Sequence, residues 1–280
     1  MIQYQHLKEQ ANIFLDTMPS GKLKMMKLSR EEFIKTLWQG CGEHGLEKAH
    51  QVMRVLNDGY DCHFSLTRNH KGKAIDIIPV LKDNPVWHML VPALINVTMK
   101  GVGIGEMFMT LIHPQSEYRS DKDLVIDGKN IECKKDAGGC IKGNKKNERF
   151  IDDIRKKYDL PKKTEDFYLE LSKKSQEEKA QFWREVYKDI SEVHLSLLID
   201  LPADVDKAKK QHGMIILQRY VKIDGIDSLF LISESGDYVF IDDFDDADFI
   251  NKNCKFTPKI YRGKDTNAVG DGYAVIKARN

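Results

Sequence analysis

The sequence predicts a mixed α/β chain, α+β in arrangement, on three observations. Residues 1 to about 60 repeat apolar side chains at helical spacing, 123–134 alternates as a strand pair around a tight turn, and 228–241 repeats that pattern after a long helical stretch. With 280 residues, 41% apolar and 31% charged, the chain can build one large core or two modest ones.

The elements follow in order. Ser29 to Glu32 matches a capping box, with Phe33, Leu37 and Trp38 supplying an apolar stripe behind it. A second helix is expected from Leu46 to about Leu56, and 62–84 reads as short extended pieces with a turn signal at His70 to Gly72. The longest apolar stretch, Val86 to Met99, contains His88, Pro92 and Asn96 and is too short to span a bilayer, so no membrane partner is expected.

Residues 143–200 read as an inserted helical segment. Ser175 to Glu178 is another capping box, followed by Phe182, Val186 and Ile190 at i, i+4, i+8. Asp204 to about Val221 is predicted as a helix despite Gly213, which is unfavourable inside one. Ser228–Ser233 and Tyr238–Ile241 flank Glu234 to Asp237 as a hairpin, and the tail 255–280 is expected to be extended. The expected organisation is a mainly helical region over 1–97 and a core over 98–280, with the helical insertion at about 143–203.

The net charge of +1 excludes a histone-like wrapper or a polyanionic tail, but not nucleic acid, because charge is unevenly spread. Lys134 to Lys163 holds 11 Lys/Arg against 5 acids, while Asp224 to Ile250 holds 9 acids and no Lys or Arg. Five scattered cysteines argue against a disulfide framework and for a reducing, cytoplasmic setting. Cys41 with His44, and Cys62 with His63, do not repeat at finger spacing, so no zinc site is expected. No signal peptide opens the sequence.

The informative stretch is Asp123 to Lys134. Asp127-Gly128 between apolar runs is a type I′ hairpin signal, since both central residues must take positive φ. That turn pairs Ile126 with Lys129, Val125 with Asn130, Leu124 with Ile131 and Asp123 with Glu132. Alternation then gives a core face of Leu124, Ile126, Ile131 and Cys133, and a second face of Asp123, Val125, Asn130, Glu132 and Lys134. Two opposed carboxylates repel, and a divalent cation between them relieves the repulsion. Lys134, two residues beyond Glu132, shares their face, as metal-assisted phosphodiester hydrolysis requires.

Upstream, Gly101, Gly103 and Gly105 precede Glu106. No Lys-Ser/Thr follows, which excludes a P-loop, and no full dinucleotide fingerprint is present. The glycines read as a flexible entry to a helix carrying Glu106 in its first turn, where the helix dipole favours an acid.

Glu106 after the glycines, Asp123 before an apolar run, and Glu132 with Lys134 on the following strand together resemble the PD-(D/E)XK nuclease superfamily, most of all its phage-encoded members. The resemblance implies a restriction-endonuclease-like core, a mixed central sheet flanked by helices, with the later helix at about Asp204 to Val221 and the later strand at Ser228 to Ser233. It departs in two places: His113 to Ser120 leaves little room for the family's first strand, and 143–203 is a large insertion. Asp121 is a rival for the Asp123 position.

What the resemblance implies is a metal held by Glu106, Asp123 and Glu132, with Asp123, Glu132 and Lys134 catalytic. Mg²⁺ is the expected cofactor, Mn²⁺ its substitute, and DNA the substrate, cut by an endonuclease of phage DNA metabolism or packaging. Lys142, Lys145, Lys146 and Arg149 are candidate phosphate contacts. The alternative is a phage virion or neck protein that retains the fold and binds phage structural proteins or its own copies. Its place would be the host cytoplasm or the virion.

Overall fold

Asp127 and Gly128 adopt φ of 50° and 78° and close a two-residue turn, so the strands on either side pair in one register. The pairs are Ile126 with Lys129, Val125 with Asn130 and Leu124 with Ile131, as the turn chemistry predicts. The rest of the sheet is built outward from this hairpin.

The computed structural model describes residues 2–16, 27–58, 66–96, 105–106, 108–109, 113, 116–119, 122–135, 140–142, 151–259 and 273–279. In chain order the helices are α1 (Ile2–Asp16), α2 (Lys27–His44), α3 (Leu46–Asp58), α4 (Pro85–Asn96), α5 (Ile151–Lys157), α6 (Thr164–Ser172), α7 (Gln176–Val186), α8 (Glu192–Ile199), α9 (Val205–Asp224) and α10 (Ala247–Asn253). The strands are β1 (His70–Lys73), β2 (Glu117–Arg119), β3 (Lys122–Ile126), β4 (Lys129–Lys135), β5 (Cys140–Lys142), β6 (Ser228–Ile232), β7 (Asp237–Ile241), β8 (Cys254–Lys259) and β9 (Tyr273–Ala278). Among the described residues, no helix is long and apolar enough to cross a membrane.

Two compact units result, one of residues 1–137, 227–243 and 280, the other of 138–226 and 244–279. The first unit therefore does not end at residue 97. Strand β1 pairs antiparallel with β7, so the N-terminal region completes the same sheet that contains the 123–134 hairpin. Strand order is β1-β7-β6-β4-β3-β2, mixed, with β4 and β6 parallel and the other neighbours antiparallel. The three-residue β2 fits into the short stretch before β3, with a register shift between Glu117 and Arg119.

Period-two alternation sorts this sheet. Leu124, Ile126, Ile131, Cys133, Phe230, Ile232, Tyr238 and Phe240 are buried in one cluster with side chains of α1 to α4, among them Phe14, Phe33 and Trp87. A polar clasp fixes one end of the sheet. Lys129 Nζ donates to Asp242 Oδ1 and to the Leu66 carbonyl, both at 2.6 Å, and Ser228 Oγ donates to the same Asp242 oxygen at 2.8 Å. Asn69 Oδ1 accepts from the backbone N–H of Asp242 and Asp243, which ties the approach to β1 onto the end of β7.

The second unit holds α5 to α10 and a three-stranded antiparallel sheet, β5-β9-β8. Ser175 and Glu178 form both halves of the expected capping box. Asp204 caps α9 through the Lys207 N–H, and Gly225 ends it at φ 60°. Gly213, adverse by helix propensity, has a packing reason: a Cβ there would lie 2.4 Å from Phe256 Cβ, so only glycine lets α9 approach β8 this closely.

Two local expectations fail. Helix α2 starts at Lys27, which puts Ser29 in its third position rather than at a cap. Helix α7 ends at Val186, so Ile190 leaves its stripe; Trp183 and Tyr187 are the residues buried beside Phe182 and Val186.

His212 is buried on α9, its Nδ1 2.6 Å from Tyr168 Oη and its Nε2 2.6 Å from Tyr187 Oη. A neutral imidazole donates from one nitrogen and accepts at the other, so one tyrosine accepts a proton and the other gives one. Burial pushes the His212 pKa down to about 3. Between the ordinary value near 6.5 and that value, the unfolded chain binds a proton that the folded chain refuses. Stability from this group is thus complete above pH 6.5 and falls as pH drops toward 3, by up to about 1.4 kcal/mol per pH unit. In urea unfolding between pH 7 and 4, the advantage of wild type over His212→Gln should shrink with acidity. A pH-independent difference would remove His212 as the group responsible.

Candidate functional site

Strand β4 is hydrogen-bonded on both sides, to β3 and to β6. Its odd-numbered Ile131 and Cys133 enter the core, so Glu132 and Lys134 stand on the opposite face. Their cross-strand partners on β6, Leu229 and Leu231, are fully buried, which leaves the two charged side chains only 14% and 22% exposed. Glu132 Oε1 and Lys134 Nζ form an ion pair. A carboxylate and an ammonium beside apolar neighbours need such pairing, because desolvating either alone is costly.

Asp123 lies on β3, one residue before Leu124, whose Cα partner is Ile131. Continued by one step, that register brings Asp123 opposite Glu132 at the backbone; the Asp123 side chain lies outside the described residues. So do Asp121, Lys145, Lys146 and Arg149, and the side chain of Lys142. Lys142 is on β5, in the second unit, whereas Asp123, Glu132, Lys134 and Glu106 belong to the first.

Glu106 is helical and 6% exposed. Its position is set by neighbours on both sides. A Cβ at Gly105 would lie 3.2 Å from Cys133 Cβ and 3.3 Å from Phe230 Cδ1, so the backbone here is pressed onto β4 and β6. Two residues beyond Glu106, Phe108 stacks on Phe230 with centroids 6.2 Å apart and an interplanar angle of 11°. Gly105 is therefore a contact residue, not only a flexible entry. Sequence reading missed this role, and the small residue immediately before an acid on an apolar helix was the signal for it.

The His113 N–H donates to the Met109 carbonyl at 2.9 Å, and burial lowers the pKa of its imidazole against a weaker opposing pull from Asp127. Among the described residues no three His, Cys, Asp or Glu side chains gather as a metal-holding group, and the Asp123 carboxylate is not among those residues. The donors in question, Glu106, Asp123 and Glu132, are all carboxylates, a hard-oxygen set that fits Mg²⁺ or Mn²⁺ and not a thiolate-seeking metal. Cys41 and Cys133 are buried core residues.

Compared with family models, curated proteins and solved structures, the chain matches none.

The close approach at Gly105 has a measurable consequence. Gly105→Val must push the Glu106 helix off β4 and β6, and overpacking of this kind costs about 1–3 kcal/mol. Thermal unfolding should fall by several degrees, whereas Gly42→Ala, at an open helical position, should leave it unchanged or raise it. Equal melting of Gly105→Val and wild type would mean that the close approach does not hold the helix.

Proposed function

We propose that the first unit is a restriction-endonuclease-like core and that the chain is a Mg²⁺-dependent DNA endonuclease of the PD-(D/E)XK kind. The observation that carries the reading is the arrangement of β4. It pairs antiparallel with the strand of Asp123, pairs parallel with the strand that follows a helical crossover, and keeps Glu132 and Lys134 together on its non-core face. Glu106 enters the reading from the resemblance alone: Gly105 and Phe108 pack its helical segment on the Cys133 and Phe230 face of β4 and β6, opposite that of Glu132 and Lys134.

In this reading Glu106, Asp123 and Glu132 would hold the cation through carboxylate oxygens. When bound, Mg²⁺ polarises a phosphoryl oxygen and lowers the pKa of its water. Glu132 accepts from Lys134 Nζ, and its position next to buried Leu229 excludes bulk water from one side. Lys134 supplies a positive charge two residues away, able to orient an attacking water or to meet charge developing at phosphorus. The ion pair between them holds Lys134 along the same face. DNA is the partner in this reading; the charge needed to hold it is local and not a property of the net +1.

Incubation with supercoiled, linear and branched DNA tests the proposal directly. Cleavage should appear with Mg²⁺ or Mn²⁺ and vanish with EDTA. Glu132→Gln and Lys134→Met should each lower the rate by about 100-fold or more, the scale for losing one preorganised charge in a site. Lys134→Met also strips Glu132 of its ion-pair partner, so a drop in melting temperature should accompany it. The double variant should recover part of that stability but none of the activity. Undiminished cleavage in either single variant would end the assignment. No activity on any DNA form with either metal would favour a phage virion component that keeps the fold.

A further inference from the structure

We propose a phosphate-binding site at the β1 edge of the first unit's sheet, formed by Arg68, Lys71 and Lys73, resting on the nuclease reading only for its biological ligand, a nucleic-acid backbone. The site is a cavity of about 250 Å³ lined by Arg68, His70, Lys71, Gly72, Lys73, Asp76 and Tyr238. It lies within one unit, at a strand that among the described residues has a neighbour on one side only.

Arg68, Lys71 and Lys73 share this cavity with Asp76, Asp237 stands opposite Lys73 on β7, and among the described residues the three cations form no ion pair. Lysines on an edge strand commonly guard it against pairing with another chain. That role needs no cavity, no arginine from the preceding turn and no aromatic hydroxyl, all of which are present here. Lys71 and Lys73 stand on one side of β1, about 7 Å apart along the strand, close enough for both to reach one phosphate. Arg68 adds a planar fork suited to phosphate oxygens.

Packing on the other face of β1, that of His70 and Gly72, holds in place the strand that carries the two lysines. Gly72 is the Cα partner of Tyr238, and a Cβ there would come within 3.0 Å of the Tyr238 hydroxyl, so the ring lies across the strand at a residue with no side chain. His70 meets that ring edge-on at 5.7 Å, and its Nδ1–H donates to the Arg68 carbonyl at 2.9 Å, tying the arginine's backbone to the strand. The carbonyl can only accept, which places the proton on Nδ1.

Register supplies a second, independent link. Lys71 is paired with Val239, Val239 with Leu231, and Leu231 with Lys134. Paired residues share a face, so Lys71 and Lys134 belong to one row across four strands, about 14 Å apart at the usual strand spacing. A phosphodiester chain reacting at Lys134 would have further phosphates within reach of the β1 edge.

Binding is tested in EDTA, so that the result does not depend on cleavage. Full-length wild type, Arg68→Ala/Lys71→Ala/Lys73→Ala and Lys71→Arg/Lys73→Arg are titrated into a labelled DNA duplex at several salt concentrations. Calorimetry with inorganic phosphate forms the second arm. The triple alanine variant should weaken duplex binding at least tenfold and flatten the salt slope by about 2–3, near 0.9 for each phosphate no longer neutralised. The double arginine variant should bind like wild type. Phosphate binding abolished in the triple variant, with no duplex binding by wild type, would assign the site to a free phosphate group. Triple and wild-type proteins binding both ligands alike, or wild type binding neither, would overturn the proposal. Duplex binding through these residues in a protein that never cleaves with Mg²⁺ would remove the nuclease reading and leave this site standing.

Discussion

The structure of the first unit depends on β4 being central and two-faced. A strand paired on both edges cannot slip, because a shift of one residue would carry Ile131 and Cys133 out of the core and bury Glu132 and Lys134 in their place. The register is fixed at one end by Asp127 and Gly128, whose left-handed backbone few other dipeptides adopt, and along its length by the apolar cluster of the N-terminal helices. A charged pair of this kind is tolerated next to buried Leu229 and Leu231 only because each member neutralises the other. The chemistry on that face follows from packing on the opposite one.

Close approach is the second recurring device, and it explains glycines that local rules treat as defects. Gly213 interrupts the helical propensity of α9, and Gly105 stands directly before the acid that the resemblance requires. In each case a neighbouring side chain, Phe256 or Cys133, occupies the volume a Cβ would take. The loss in helix propensity, about 1 kcal/mol for a glycine, is offset by apolar burial of the surfaces brought together.

What could be read in the sequence was whatever neighbouring residues decide. The hairpin register, the Ser175 capping box, the start of α9 at Asp204 and the strand pair 228–241 all rest on interactions a few residues apart, and the structure shows each of them. What could not be read depends on partners far away. Nothing in His70 to Lys73 announces pairing with residues some 170 positions later, so the N-terminal region looked separable at 97. Ser29 matched a cap but the helix runs past it to Lys27, since one capping bond cannot stop a helix whose following turn is already anchored by Phe33 and Leu37 in the core. At the candidate site, alternation foretold the common face of Glu132 and Lys134, whereas the burial that makes them a pair came from β6.

Strand register also gives physical content to the idea that a nearly neutral chain can hold a polyanion. Attraction for a phosphodiester is governed by charge within a Debye length, about 8 Å in physiological salt, and hardly by the total. Along the row from Lys134 through Leu231 and Val239 to Lys71, two cations are separated by buried apolar residues with no acid between them. Four of the nine acids of the 224–250 stretch have local partners. Asp242 is engaged by Lys129 and Ser228, Asp227 accepts from the Asn130 N–H, Asp246 caps α10, and Asp237 takes the Ser235 hydroxyl. Asp242 is neutralised by Lys129, whereas the acids in caps and turns keep their charge. The same sheet can therefore carry the acids a metal needs near β4 and a net cationic edge at β1, separated by two apolar strands that keep the two charge sets from cancelling.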